Sequence, residues 1–223
     1  MRELHTDNVA ASVAADLVDL VERRSPAEVH IALTGGRVGT EVTQALLPHL
    51  AGRGNVHLWF SDERFLPAMD PQRNDAVVPV DLAARVHRIP GPDAAIDPAA
   101  AAAAYAAELH LATTTRFCAD NSLMDVTLLS IGPDGHVASL FPHSSVLDAT
   151  VAVSGVQDSP KPPTQRVTWT YPTINASRQV WLLATGAQKR DAVASLRAGA
   201  AARDIPAAGV HGRDETRPYT DLP

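Results

Sequence analysis

Four short apolar runs, each stopped by a glycine or acidic turn, limit the fold of this chain more than any other feature of its sequence. Val29–Leu33 stops at Gly35-Gly36, and Val56–Phe60 stops at Ser61-Asp62-Glu63-Arg64. Residues 125–131 stop at Gly132-Pro133-Asp134-Gly135-His136, and Gln179–Ala184 stops just before Gly186. Runs this short and apolar fit strands buried on both faces. Stretches with helical spacing alternate with them. Residues 7–24 carry Val9, Val13, Leu17, Leu20 and Val21 on one stripe, with Thr6 or Asp7 available as N-cap. Residues 38–50 and 187–197 follow the same period, the second closed by Gly199. Asp97-Pro98 supplies an N-cap and a first-turn proline to an alanine-rich helix reaching His110, in which Tyr105, Leu109 and Leu111 are available for burial. This alternation predicts an α/β fold: a doubly wound, mostly parallel sheet with helices on both faces, as one domain over residues 1–223. Pro67, Pro71 and Gln72-Arg73-Asn74 mark an irregular loop long enough to cover something. Residues 159–163 read as a loop feeding an edge strand over 166–170, with antiparallel pairing as one option.

Charge and cysteine content narrow the partners. A formal net charge of −6 gives no general attraction for nucleic acid or an acidic membrane, and no basic run supplies a local one. Cys118 is the single cysteine, which rules out an internal disulfide and any cysteine pair at zinc spacing, and fits a reducing compartment. The start, residues 1–8, is polar, and no apolar stretch approaches the roughly 20 residues a membrane helix needs. The expectation is a cytoplasmic protein, monomeric or weakly self-associating, acting on a small molecule.

In open parallel sheets ligands sit beyond the carboxyl ends of the strands, so strand-to-helix junctions are where function collects. Four junctions carry unusual residues: Gly35-Gly36-Arg37, Asp62-Glu63-Arg64, Asp134-Gly135-His136, and Gly186 to Lys189. Each alone has an ordinary explanation as a turn, a cap or a solvated cation. Arg37 and Lys189, however, both fall at the start of expected helices, where the dipole disfavours a cation. One anionic ligand would relieve both conflicts, since glycine turns at helix N-termini aim N–H groups at oxyanions. A phosphate is the natural candidate. Neither a G-x-G-x-x-G fingerprint nor a Walker loop is present to support a dinucleotide or ATP.

The imidazole of His136 can take a proton from water near neutral pH and return it to a leaving group, with Asp134 orienting the ring. Equally, Asp134 can cap a following helix and leave His136 as a first-turn residue. Spacing leaves both readings open. The other histidines are scattered, His143 follows His136 at no metal-ligand spacing, and Ser139 and Ser144 lack a G-x-S-x-G elbow. No metal site is expected.

Taken together, Leu33-Thr34-Gly35-Gly36, Ser61 to Pro67 with Asn74, and the block Ile131-Gly-Pro-Asp-Gly-His-Val-Ala-Ser-Leu-Phe-Pro142 form an ordered series. Ser159-Pro-Lys-Pro-Pro163 with Arg166, and Thr185-Gly186 with Lys189, continue it. The series resembles the 6-phosphogluconolactonase family, within the glucosamine-6-phosphate isomerase/deaminase-like superfamily, from about residue 9 to about residue 200. The resemblance implies a sugar-phosphate isomerase/deaminase-like fold, no metal or organic cofactor, and hydrolysis of a phosphorylated sugar lactone in the oxidative pentose phosphate pathway. It implies that His136 activates water beside Asp134. Gly35, Gly36, Arg64, Arg166 and Lys189 match positions associated with the substrate, chiefly its phosphate. Arg37 stands where many members carry serine or threonine, and its phosphate contact is inferred from charge and place. The segment after Asp214, with Pro218 where an aromatic is frequent, departs from the pattern. A glucosamine-6-phosphate deaminase is the nearest alternative, but that family usually has an acidic residue before the proline, and Ser139-Leu140-Phe141-Pro142 offers none. A non-catalytic sugar-phosphate sensor is a further alternative, opposed by the retention of His136 beside the phosphate positions.

Overall fold

The computed structural model describes residues 4–82 and 84–222. The first three residues of the polar start, Ala83 and Pro223 lie outside them. The strands are β1 (Leu4–His5), β2 (Val29–Leu33), β3 (Val56–Phe60), β4 (Asp62–Arg64), β5 (Arg85–Val86), β6 (Val126–Ser130), β7 (Val153–Val156), β8 (Arg166–Trp169), β9 (Gln179–Ala184) and β10 (Glu215–Thr220). The helices are α1 (Val9–Arg24), α2 (Gly36–Leu46), α3 (Pro98–Asp120), α4 (Tyr171–Asn175) and α5 (Arg190–Arg197). Seven strands form one sheet in the order β1-β10-β9-β6-β2-β3-β5, and every neighbouring pair in it is parallel.

That order fixes where a ligand goes. From β2 the chain winds outward through β3 to β5, then returns to β6 on the other side of β2 and winds the opposite way through β9 to β10. The direction reverses between β2 and β6, whose Ile31 and Ala32 pair with Val126 and Thr127. Right-handed crossovers then send the two sets of helices to opposite faces and open a crevice at the carboxyl ends of β2 and β6.

The central strands are the all-apolar runs read from the sequence, and every residue of β2 and β3 is buried. Trp59, Trp169, Trp181, Tyr105 and Tyr219 are the largest fully buried side chains, each contributing about 2–3 kcal/mol through apolar burial. Tyr105 also satisfies its hydroxyl: it accepts from Phe60 N at 3.0 Å and donates to the carbonyl of Phe60 at 3.3 Å. This joins α3 to β3.

Several expectations change in detail. Asn8, rather than Thr6 or Asp7, caps α1 by accepting from Ala11 N at 3.0 Å. The helix expected over 38–50 begins two residues earlier and gives way to a 3-10 turn at Leu47–Leu50, where Pro48 is accommodated in the first turn of a new element. The helix expected over 187–197 likewise starts as a 3-10 turn, Ala187–Lys189. The alanine-rich helix runs ten residues past His110 to Asp120 and ends at Asn121 in the left-handed region, φ +57°. Leu111 is 81% exposed rather than packed, because the buried stripe of α3 runs through Tyr105, Leu109 and Thr113. Arg166–Trp169 is not an edge strand: it is the middle of a separate three-stranded antiparallel sheet, β4-β8-β7. The segment after Asp214 becomes β10, inserted between β1 and β9. Among the described residues β1 pairs with Tyr219 and Thr220 of β10, just past Pro218.

Next to this core three histidines stack. His30 and His57 rings lie 4.2 Å apart, and His87 lies 3.7 Å from the Trp59 ring. Trp59 Nε1 donates to His30 Nδ1 at 3.1 Å and Arg85 Nη1 donates to His57 Nε2 at 3.1 Å, so His57 Nδ1 donates onward to His87 Nε2 at 2.9 Å. Burial, reinforced by His57, depresses His30 from 6.5 to about 3, and burial also lowers His57. At His30 the unfolded chain therefore binds more protons than the folded one once pH falls below about 6.5. The stability contributed by His30 should be level above pH 7 and then decline by about 1.4 kcal/mol per pH unit between pH 6.5 and pH 3. Urea midpoints across that range check this, and a His30→Gln variant should show a shallower decline.

No helix among the described residues is long and apolar enough to cross a membrane.

Candidate active site

A cleft of about 250 Å3 opens where the winding reverses. Its walls are the β2–α2 turn (Thr34 to Val38), the end of β6 and the turn after it (Ser130 to Pro133, His136), β4 (Asp62, Arg64), Asn74, Arg166 and Lys189. His136, Gly35, Gly36, Arg37, Arg64, Arg166 and Lys189, separated in sequence by up to 154 positions, all line it; Asp134 stands behind His136.

The glycine turn is built for close approach. Gly35 is the N-cap of α2 and offers no side chain to its first turn, so the leading N–H groups are left for another acceptor. A Cβ on Gly35 would lie 2.0 Å from Asn74 Oδ1. Asn74 in turn donates Nδ2 to the carbonyl and carboxylate of Asp62 at 2.9 and 3.1 Å, clamping the 62–74 loop onto the turn. Gly36 has φ +77°, the left-handed region that glycine adopts freely.

The cations are arranged against local rules. Arg64 and Arg166 face each other directly across the antiparallel β4–β8 pair, where like charges destabilise. Arg166 is buried; it donates to the carbonyls of Pro163 and Lys161 at 3.0 Å each and stands 3.9 Å from Asp62. Burial, with Arg64 nearby, lowers its pKa, while Asp62 opposes the shift. The Nε of Arg64 is buried without a hydrogen-bond partner among the described residues. Lys189 sits immediately before α5, only 9% exposed, with Nζ donating to Ser130 Oγ at 3.1 Å. Burial and then Arg37 depress it from 10.5 to about 8. Arg37 lines the rim but is largely exposed and pairs with Glu41 at 3.8 Å. A bound dianion would satisfy the first turn of α2, the orphaned donor and the two facing guanidiniums together.

At the other side of the cleft no helix follows the Gly132-to-His136 turn. Asp134 therefore does not cap one; its Oδ1 accepts from His136 Nδ1, and its Oδ2 lies 3.0 Å from Lys161 Nζ. Burial alone would push Asp134 up, but the hydrogen bond and charge of His136, then those of Lys161, hold it well below the usual carboxylate range. An ionised Asp134 places the proton of a neutral imidazole on Nδ1 and leaves Nε2 with its lone pair. The ring stacks on Phe141 at 4.5 Å between centroids. Ser139 is no nucleophile in this setting: its Oγ donates to Asp62 Oδ2 at 2.7 Å and its N–H to Thr168 Oγ1 at 3.1 Å.

Asp62, already in a named junction, stands in the site, and Asn74, Ser130 and Lys161 stand in or beside it although the junctions alone did not single them out. Lys161 and Asn74 carried one signal, the Ser159-to-Pro163 and Ser61-to-Asn74 segments. Ser130 carried none, being simply the last residue of a buried strand. Away from the cleft, Glu28, His30 and His57 bring potential ligand atoms within 4.8 Å of one another. There the Trp59 hydrogen bond leaves the proton of neutral His30 on Nε2, and Arg85 Nη1 engages both His57 and Glu28 at 3.1 Å.

The sequence profile described as glucosamine-6-phosphate isomerases/6-phosphogluconolactonase matches residues 2–218. A 6-phosphogluconolactonase of Streptomyces coelicolor is 43% identical over 234 aligned positions, covering 96% of this chain and 87% of that protein. One from Mycobacterium tuberculosis is 42% identical, covering 83% and 79%. A solved structure of 6-phosphogluconolactonase from Trypanosoma cruzi superposes with a TM-score of 0.81 at 25% identity, covering 98% of this chain and 94% of that one. With the profile spanning nearly the whole sequence, the chain belongs to the family of glucosamine-6-phosphate isomerases and 6-phosphogluconolactonases.

Proposed function

We propose that this chain hydrolyses 6-phospho-D-glucono-1,5-lactone to 6-phosphogluconate, the lactone-opening step of the oxidative pentose phosphate pathway, with His136 activating water. One observation carries the reading: an imidazole with a free Nε2 and a wall of buried cations and helix N–H groups share a single cleft. The names of the curated relatives support the same reaction. Phe141, the residue before Pro142, stacks on the imidazole where a carboxylate would favour the deaminase alternative. A cytoplasmic setting suits a chain whose cysteine, Cys118, is free and exposed.

The phosphate binds at Gly35 and Gly36 with Lys189, Arg64, Arg166 and Arg37 around it, and this remote anchor brings the lactone carbonyl to the imidazole. His136 Nε2 takes a proton from water as the water oxygen bonds to the carbonyl carbon. The tetrahedral intermediate collapses with cleavage of the bond to the ring oxygen, which receives that proton from the imidazolium. Asp134 holds the tautomer throughout and stabilises the transient cation. Water supplies every atom added, and the ring ends neutral.

A coupled assay that oxidises the product as it forms tests the reading. The protein should remove the lactone faster than its spontaneous hydrolysis, in proportion to enzyme added. A rate equal to the spontaneous one at every enzyme concentration would refute it.

A further inference from the structure

We propose that Lys161 is a positioning residue that tunes His136: its ammonium shares the Asp134 carboxylate with the imidazole and presses against the ring, keeping it able to release the proton it accepts. This rests on the reaction proposed above. Lys161 Nζ lies 3.0 Å from Asp134 Oδ2, 3.3 Å from His136 Nδ1 and 5.7 Å from the centre of the Phe141 ring. Because His136 Nδ1 already donates to Asp134 Oδ1, the ammonium cannot donate to that nitrogen as well. Its influence on the ring is the influence of a charge.

An isolated carboxylate–imidazole pair stabilises the imidazolium. Such a pair takes a proton readily and gives it back poorly, whereas lactone opening needs both steps. A second cation on the same carboxylate draws off part of its charge and directly opposes the imidazolium. Other charged groups near the ring have different engagements. Asp62 and Arg64 on β4, Arg166 on β8, Lys189 before α5 and Arg37 on α2 line the cleft. Of these, Arg166 is held by the Lys161 and Pro163 carbonyls and Lys189 by Ser130. Among the described residues, Lys161 is the cation within contact distance of the imidazole.

The backbone of Lys161 is fixed for this task. Ser159 Oγ accepts from its N–H at 3.3 Å and donates to its carbonyl at 3.1 Å, and Arg166 Nη2 donates to that carbonyl at 3.0 Å. The loop that carries the tuning charge is thus anchored on a guanidinium of the cleft.

Lys161→Met and Lys161→Arg variants of the full chain test the proposal through two readouts. One is the pH dependence of kcat/KM; the other is the imidazole proton–carbon NMR titration of His136 without substrate. In Lys161→Met the acid limb of the rate profile and the ring titration should both move to higher pH by about half to one unit. That is the lower end of neighbouring-charge effects, because Lys161 is partly exposed. Turnover should fall several-fold with KM little changed, and Lys161→Arg should restore the limb. A limb and ring titration unmoved in Lys161→Met, or an arginine variant behaving like methionine, would overturn the proposal. Should the wild-type chain lack lactonase activity while the ring titration still moves, the tuning holds and the assigned reaction fails.

Discussion

Replacing His136 with glutamine should lower kcat about 100- to 10,000-fold, the range attributed to a positioned general acid–base group. KM for the phosphorylated lactone should change little, because the proposed phosphate anchors stand on β4, β8, the β2–α2 turn and the turn before α5, not on the turn that carries His136. Glutamine preserves approximate size and can still donate to Asp134, so the fold and the carboxylate's setting survive the change. It lacks a nitrogen lone pair able to accept a proton from water. Steady-state kinetics with circular dichroism as a fold control check this. Turnover near that of the native chain in a folded His136→Gln protein would remove the imidazole from the mechanism.

A single methyl group on Gly132 should have the second large effect. A Cβ there would lie 2.0 Å from His136 Nδ1 and 2.7 Å from Asp134 Oδ1, so the carboxylate–imidazole pair cannot stay in place in Gly132→Ala. Gly132 is not among the residues in the left-handed region, so alanine introduces no backbone strain of that kind. The ring is displaced by more than an ångström, a misplacement worth about 100-fold in rate. Gly54→Ala is the matched control, since its Cβ would meet nothing within 4 Å. Loss of activity in Gly132→Ala with retention in Gly54→Ala, both folded, is the expected pattern; full activity in Gly132→Ala would mean that the ring position is unimportant.

These predictions draw on distances the sequence does not encode. The buried strands were legible because β2, β3 and β9 are continuous apolar runs with glycine or polar stops, and a parallel sheet leaves that pattern. The position of β8 was not, because an alternating run looks the same at a sheet edge and in the middle of a small antiparallel sheet. That sheet depends on β4, a three-residue strand whose Asp-Glu-Arg sequence has no apolar period at all. The extent of α3 was underread because Thr113 and its neighbours are weak helix formers held by packing. At the cleft, glycine turns marked Gly35 and Gly36, cations set against the helix dipole marked Arg37 and Lys189, and a titratable ring on a glycine turn marked His136. The role of Asp134 stayed open until the chain after it proved not to be a helix. The Ser159-to-Pro163 segment flagged Lys161, but its place beside Asp134 became visible only through the 3.0 Å contact of a loop folding back over the site.

The central claim is that an anion clamp and a general base act on one molecule in one cleft. Comparing kcat/KM for 6-phosphogluconolactone with that for unphosphorylated gluconolactone tests it most directly, in the native chain and in Lys189→Met. Two or more charged hydrogen bonds at about 1.5–3 kcal/mol each predict a preference for the phosphorylated substrate of about 100-fold or more in the native chain. That preference should fall by about 10- to 100-fold in Lys189→Met, the share of one such bond. Equal rates on the two lactones, or a preference untouched by removing the buried ammonium, would contradict it.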